Sequence, residues 1–244
     1  MKIALAALGF KNKDIEFNKN VIINTLKEYT NKADIVLFGE AFLQGFDSLS
    51  FNYKEDINMA LSLDSNIICE IREKCKKYNI GLSFGFIELY QGNIYSSQLT
   101  IDKDENIIDI YRRVSPGWKE LYATKEYKEG KDFSKFKYLD KNISIGLCGD
   151  LWYDDNIDII NSLNPSLVLW PVYVDYNYKE WNEKIKYEYL EQTNKINADV
   201  LLVNPYCLES GSDNSAKGGA LFISKNKIVG EIASGREDVL LVNI

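Results

Sequence analysis

Three residues combine reactive side chains with positions that ask for an explanation: Glu40, Arg113 and Cys148. Each stands at or just past the end of an apolar run, Glu40 after DIVLF, Arg113 after IIDIY and Cys148 after ISIGL. A cysteine is a nucleophile only once something takes its proton, and the chain of 244 residues contains no histidine. That excludes Ser-His-Asp and Cys-His catalysis, His-based zinc and iron sites, and His-based phosphoryl transfer. Acid–base chemistry near neutral pH then falls to a carboxylate, Lys, Cys or Tyr. A carboxylate set on a buried strand end can serve, because desolvation favours its neutral, proton-bearing form. The plainer readings are a packed core thiol at Cys148 and a Glu40 that simply pairs with Arg112, Arg113 or a lysine.

The elements that must position these residues are legible as short apolar runs. KIALAAL and DIVLF are buried strands, with a helix over residues 15–31 between them and a second helix over 64–78 that carries Cys69 and Cys75 in its core face. NIGLSFGFIEL, NIYSSQLTI and NIIDIYRRV are separated by YQGN and DKDEN, which predicts consecutive antiparallel strands. ISIGLC, SLVLWP and DVLLVNP are further buried strands, with a helical face of Trp181, Ile185, Tyr189, Gln192 and Ile196 between the last two. GGALFIS, NKIVGEIA and DVLLVNI close the chain as three more strands. Strands apolar on both faces predict an α/β chain of mixed sheets covered on both sides. Ligands gather at the carboxyl ends of strands in such architectures, which is where the three residues fall.

"LFGEAF", "IYRRV" and "GLCGDLW", in that order, resemble the motifs of the nitrilase superfamily of carbon–nitrogen hydrolases, on its amidase-like branch. "GFIELYQGNIYSSQLTID" is similar to a family strand pair with an aromatic-Asn-Ser step, here Tyr95-Ser96-Ser97, and "GGALFISKNKIVGEIA" to its closing hairpin. The resemblance implies one hydrolase domain over residues 1–244, folded as a four-layer α-β-β-α sandwich with two mixed β-sheets packed face to face. It implies Cys148 as nucleophile and Glu40 as general base, forming a thioester with a small amide in preference to a nitrile. The family places a lysine where this chain has Arg113; either Arg113 takes over the oxyanion role, or Lys119 folds back into it. A second glutamate is expected at Glu120, with Glu126 the alternative, while Asp150 is expected to shape the turn after the nucleophile. Trp152, Tyr173, Trp118 and Asn204 are the expected substrate-binding residues, and loops 41–55, 114–130 and 206–217 are expected to set specificity. A homodimer is the expected assembly.

Composition narrows the alternatives. A net charge of −7, with no basic stripe, argues against nucleic acid or an anionic membrane as partner. No apolar run reaches the length of a membrane span, and the first residues carry no cleavage-site pattern, so a cytoplasmic protein is expected. The four cysteines form no C-x-x-C pair, so neither a metal nor a disulfide framework is expected, and the chemistry needs no cofactor. The rival reading is a catalytically impaired relative that binds a small molecule or serves in an assembly, because Arg113 occupies the lysine position. A nucleotide-binding protein is set aside for want of a glycine-rich phosphate loop.

Overall fold

The alternation of side chains along the buried strands sets the architecture. In the first strand, β1 (Lys2–Ala7), Ala4 and Ala6 face one apolar cluster while Ile3, Leu5 and Ala7 face another. In β3 (Ile35–Phe38), Val36 and Phe38 divide from Ile35 and Leu37 in the same way. A strand with period two that is apolar on both faces must be covered on both. The computed structural model describes residues 1–209 and 215–244 and meets this need with four layers; residues 210–214 of the 206–217 loop lie outside the described residues.

The remaining strands are β2 (Gly9–Phe10), β4 (Gly81–Tyr90), β5 (Asn93–Ile101), β6 (Ile107–Arg112), β7 (Lys135–Tyr138), β8 (Lys141–Ile145), β9 (Leu167–Pro171), β10 (Asp199–Val203), β11 (Tyr206–Cys207), β12 (Ala220–Ser224), β13 (Lys227–Ile232) and β14 (Asp238–Asn243). The helices are α1 (Ile15–Glu28), α2 (Tyr53–Asp56), α3 (Asn66–Tyr78), α4 (Asp154–Ser162), α5 (Tyr178–Glu180) and α6 (Lys186–Thr193), with a π turn at Trp181–Ile185 between the last two. One sheet runs β14-β1-β3-β4-β5-β6 and the other β13-β12-β10-β9-β8-β7. Each has a parallel centre, β1-β3-β4 and β8-β9-β10, flanked by antiparallel strands. Between the sheets lie Leu5, Leu37 and Tyr111 from one side and Ile143, Leu169 and Leu201 from the other. Helices α1 and α3 cover the outer face of the first sheet through Ile22, Leu26, Ile68, Ile71 and Cys75. Helices α4 and α6 cover the second through Ile157, Ile160 and Tyr189.

Both long helices of the first sheet are capped by the residues their sequence supplies. Asp14 accepts from the Phe17 amide at 3.0 Å, and α3 ends on Asn79 in the left-handed region with φ 52°. The last strand, DVLLVNI, does not extend the hairpin that precedes it; β14 leaves that sheet and pairs antiparallel with β1 in the other. Strand β7, KFKY, has no counterpart in the sequence reading. Its pattern alternates exposed lysines with buried Phe136 and Tyr138 beside β8.

Candidate active site

The carboxyl ends of β3, β6 and β8 meet across the two sheets. Strand β3 ends at Gly39, and the Glu40 amide donates to the Val172 carbonyl at 3.2 Å, tying the end of one sheet to the end of the other. This close approach needs glycine, because a Cβ at position 39 would fall 2.5 Å from Pro205 Cδ and 2.9 Å from the Val172 oxygen. Glu40 is fully buried and Arg113 is 5% exposed. Arg113 Nη1 donates to Glu40 Oε1 at 3.0 Å and to Oε2 at 3.3 Å, and Ser96 Oγ donates to Oε1 at 2.8 Å. Arg113 Nε donates to Ser115 Oγ at 3.1 Å, and Nη2 has a 3.4 Å contact to the Pro116 carbonyl.

Cys148 follows β8 in a left-handed conformation, φ 48°, at the start of a tight turn over Cys148–Trp152. Few non-glycine residues adopt this region, and they concentrate where a side chain must be aimed. The thiol is half-buried and donates to the Tyr173 carbonyl at 3.6 Å, while the Cys148 carbonyl accepts from Trp170 Nε1 at 2.8 Å. Asp150 locks this turn to the β6 end. Its carboxylate accepts from the Leu147 amide at 2.9 Å, Tyr111 Oη at 2.5 Å, the Val114 amide at 3.1 Å and the Ser115 amide at 2.6 Å. The turn-shaping part expected of Asp150 thus spans both strand ends.

Charges follow from this packing. Burial pushes the Cys148 thiol up to about 12 and Glu40 beside it adds to the shift, against the opposing pull of Arg113. Burial opposes the Arg113 charge, but Glu40, Cys148 and Asp150 outweigh it and hold the guanidinium firmly protonated. Burial also raises Asp150, against its hydrogen bonds. Glu40 and Arg113 thus act on the thiol in opposite directions. Among the described residues no group of three or more His, Cys, Asp or Glu side chains is placed to hold a metal ion.

Other expected site residues stand elsewhere. Lys119 does not fold back; its ammonium donates to the Tyr127 carbonyl at 2.6 Å and pairs with Glu129 at 2.9 Å. Glu120 does not join the cluster either. It is exposed and lines a groove of about 620 Å³ with Phe46, Asp47, Phe51, Trp118 and Tyr122, walled by the loops that leave Glu40 and Arg113. Trp118 is buried at that groove, packed on Tyr127, with its indole N–H unpartnered. Glu126 is held by the Thr124 hydroxyl. Tyr173 offers the thiol its carbonyl, not its ring, which stacks on Phe46 at 4.5 Å and donates through Oη to Asp47 at 2.7 Å. Trp152 is 42% exposed and packs edge-on against Tyr189. Asn204 is a strap between loops: its amide nitrogen donates to the Val174 and Gly218 carbonyls and its oxygen accepts from the Val174 amide, leaving little capacity for a ligand. The sequence reading passed over two polar neighbours of the cluster, Ser96 and Ser115. Ser96 lies within the quoted step on β5 and could have been found from its side of the strand.

The sequence pattern of the family described as carbon-nitrogen hydrolase matches residues 2–188. The chain belongs to the carbon-nitrogen hydrolase family. Among curated proteins, the glutamine-dependent NAD(+) synthetase of Aquifex aeolicus is 23% identical over 256 residues, covering 100% of this chain and 42% of that protein. The citrullinase of Francisella tularensis is 24% identical over 230 residues, 88% of this chain and 78% of that one. Among solved structures, the glutamine-dependent NAD+ synthetase of Acinetobacter baumannii superposes with a TM-score of 0.82 at 18% identity, covering 98% of this chain and 44% of that one. A variant of the amidase from Nesterenkonia sp. AN1, with acrylamide added to its active-site cysteine, gives 0.76 at 14%, covering 100% and 93%. The chain therefore spans less than half the length of the synthetases it matches and most of the length of the amidase and the citrullinase.

Proposed function

We propose that this carbon-nitrogen hydrolase cleaves the carbon–nitrogen bond of a small linear amide through a thioester on Cys148, with Glu40 as general base. The observation that carries the reading is the meeting of a buried carboxylate, a buried guanidinium and a thiol at three strand ends. The thiol proton moves to Glu40 as sulfur bonds to the carbonyl carbon, so no free thiolate need accumulate in the resting protein. The carbonyl oxygen becomes an oxyanion beside Arg113. Nη1 is engaged by Glu40 and Nε by Ser115, so Nη2, whose contact to Pro116 is long, is the nitrogen with capacity to hold it. Glu40 returns its proton to the nitrogen, the C–N bond breaks, and ammonia or an amine leaves. Water then gives a proton to Glu40, adds to the thioester and releases the acid, with the proton returning to sulfur. No metal or cofactor enters these steps.

A screen of small amides and nitriles with ammonia release as readout tests this, run on the native chain and on Cys148→Ala. Cys148-dependent release from an amide supports the reading, and release from nitriles alone moves the substrate class. The rival, an impaired binding or assembly protein, is favoured by the ion pair between Arg113 and Glu40, which occupies both base and oxyanion donor. It prevails if iodoacetamide modifies Cys148 no faster than the half-buried Cys69. A homodimer is proposed from the resemblance and a cytoplasmic location from the composition and N-terminal sequence, and light scattering checks the assembly. Among the described residues no helix is long and apolar enough to cross a membrane.

A further inference from the structure

Ser96 touches both halves of the Glu40–Arg113 pair. Its carbonyl accepts from the Arg113 amide at 2.9 Å, and its hydroxyl donates to Glu40 Oε1 at 2.8 Å. A serine hydroxyl has one proton to give and a carboxylate can only accept, so the direction of this bond is fixed. Both side chains are shut away from water, at 1% and 0% exposure. The consequence is an asymmetry between the two carboxylate oxygens. Among the described residues, Oε1 takes Ser96 at 2.8 Å and Arg113 at 3.0 Å, whereas Oε2 takes Arg113 alone, at 3.3 Å. The oxygen with fewer donors is the better proton acceptor, because each hydrogen bond to a carboxylate favours its charged form.

We infer that Ser96 is a positioning residue: its hydroxyl pins Oε1 of Glu40 so that Oε2 is the oxygen offered to the Cys148 thiol. The inference rests on the reading of Glu40 as the base. Among the described residues, the charged or titratable groups facing this carboxylate are Arg113 just past β6 and Cys148 from the turn after β8, with Asp150 of that turn facing Arg113. None of them is altered by substituting Ser96, so a change in proton transfer on removing the hydroxyl is assignable to it.

The test needs no substrate. The rate of Cys148 alkylation by iodoacetamide is followed by mass spectrometry across pH for the full chain and for Ser96→Ala, Ser96→Thr and Glu40→Gln. A hydrogen bond to a charged group changes equilibria by roughly tenfold or more, so Ser96→Ala is expected to move the half-rate pH of the low-pH limb up by about one unit, while the loss of a fixed Oε2 slows alkylation about tenfold above that limb. Ser96→Thr keeps the hydroxyl and is expected to restore the native profile to within about twofold. The isosteric pair Ser96→Thr and Ser96→Val repeats the comparison at matched volume if the alanine variant fails to fold. A Ser96→Ala or Ser96→Val profile that superimposes on the native one overturns the inference while leaving Glu40 in place. A Glu40→Gln profile that superimposes on the native one sinks the base assignment itself. Loss of thermal stability in Ser96→Ala with an unmoved half-rate pH assigns Ser96 to structure alone and also overturns the inference.

Discussion

Strands β5 and β6 carry two clusters of the same three residue types, one on each face. Toward the second sheet, Ser96 and Arg113 hold Glu40; toward the helices, Ser97 and Arg112 hold Glu88. The second cluster is closed. Glu88 accepts from Arg112 Nε at 2.7 Å and Nη2 at 2.6 Å in a fork, and from Ser97 Oγ at 2.7 Å. The Arg112 guanidinium is itself flanked by the rings of Tyr90 at 4.2 Å and Tyr95 at 4.8 Å. In the first cluster a single arginine nitrogen serves both oxygens at longer range, and a thiol stands beside them. A buried carboxylate gripped at short range by a two-nitrogen fork is a tie between strands. One held at longer range by a single arginine nitrogen, with a thiol beside it, is the one proposed as a base.

The contrast breaks most visibly at the two glutamates. Glu40→Gln and Cys148→Ala are expected to lower turnover of any amide the screen identifies by at least about 10⁴-fold. Glu88→Gln is expected to leave turnover within a few-fold of native while lowering unfolding free energy by about 2–3 kcal/mol, read by urea titration. An inactive but stable Glu88→Gln protein erases the distinction. The arginines sharpen it: Arg113→Ala should cost about 100- to 1000-fold in kcat, and Arg112→Ala should act on melting alone. Next in size is the clamp between the clusters' strand and the nucleophile turn. Asp150→Asn replaces an acceptor for Leu147 and Tyr111 with a donor, which should cost about 2–3 kcal/mol in thermal or urea unfolding.

The smallest effect concerns a third carboxylate, Asp109 on β6, which has a serine and no arginine. Ser134 donates to one oxygen, the other is buried without a partner, and burial raises the group from 3.8 to about 6. A carboxyl that holds its proton more tightly when folded contributes stability below pH 4, which is lost as pH rises through 6. Between those limits the urea midpoint should fall with pH by the equivalent of about 1–2 kcal/mol, allowing for partial exposure. Asp109→Asn should remove this dependence.

What the sequence disclosed and what it hid follow from range. Glu40, Arg113 and Cys148 were legible because each combines a reactive type with the end of an apolar run, and the helices over 15–31 and 64–78 because their apolar residues recur at helical spacing. That the sheets are covered on both sides was legible in strands such as KIALAA, apolar on both faces, while the four layers came from the resemblance. Glu88 was in plain view within GFIELY, but nothing local says that it is held by Arg112 and Ser97 from the next two strands. The choice between Arg113 and Lys119 depended on where the 114–130 loop turns, which Glu129 and the Tyr127 carbonyl decide. The crossing of β14 to β1 joins residues from opposite ends of the numbering, a pairing that no window of sequence contains.

The left-handed backbone at Cys148 has a consequence for how such a protein drifts. A non-glycine residue at φ 48° costs about 1–2 kcal/mol, which glycine would recover. The lineage is thus offered a more stable chain at the moment it gives up its sulfur. Under the proposed chemistry, selection for turnover must hold cysteine there against that gradient, and a copy freed of it would lose the thiol before it lost the fold.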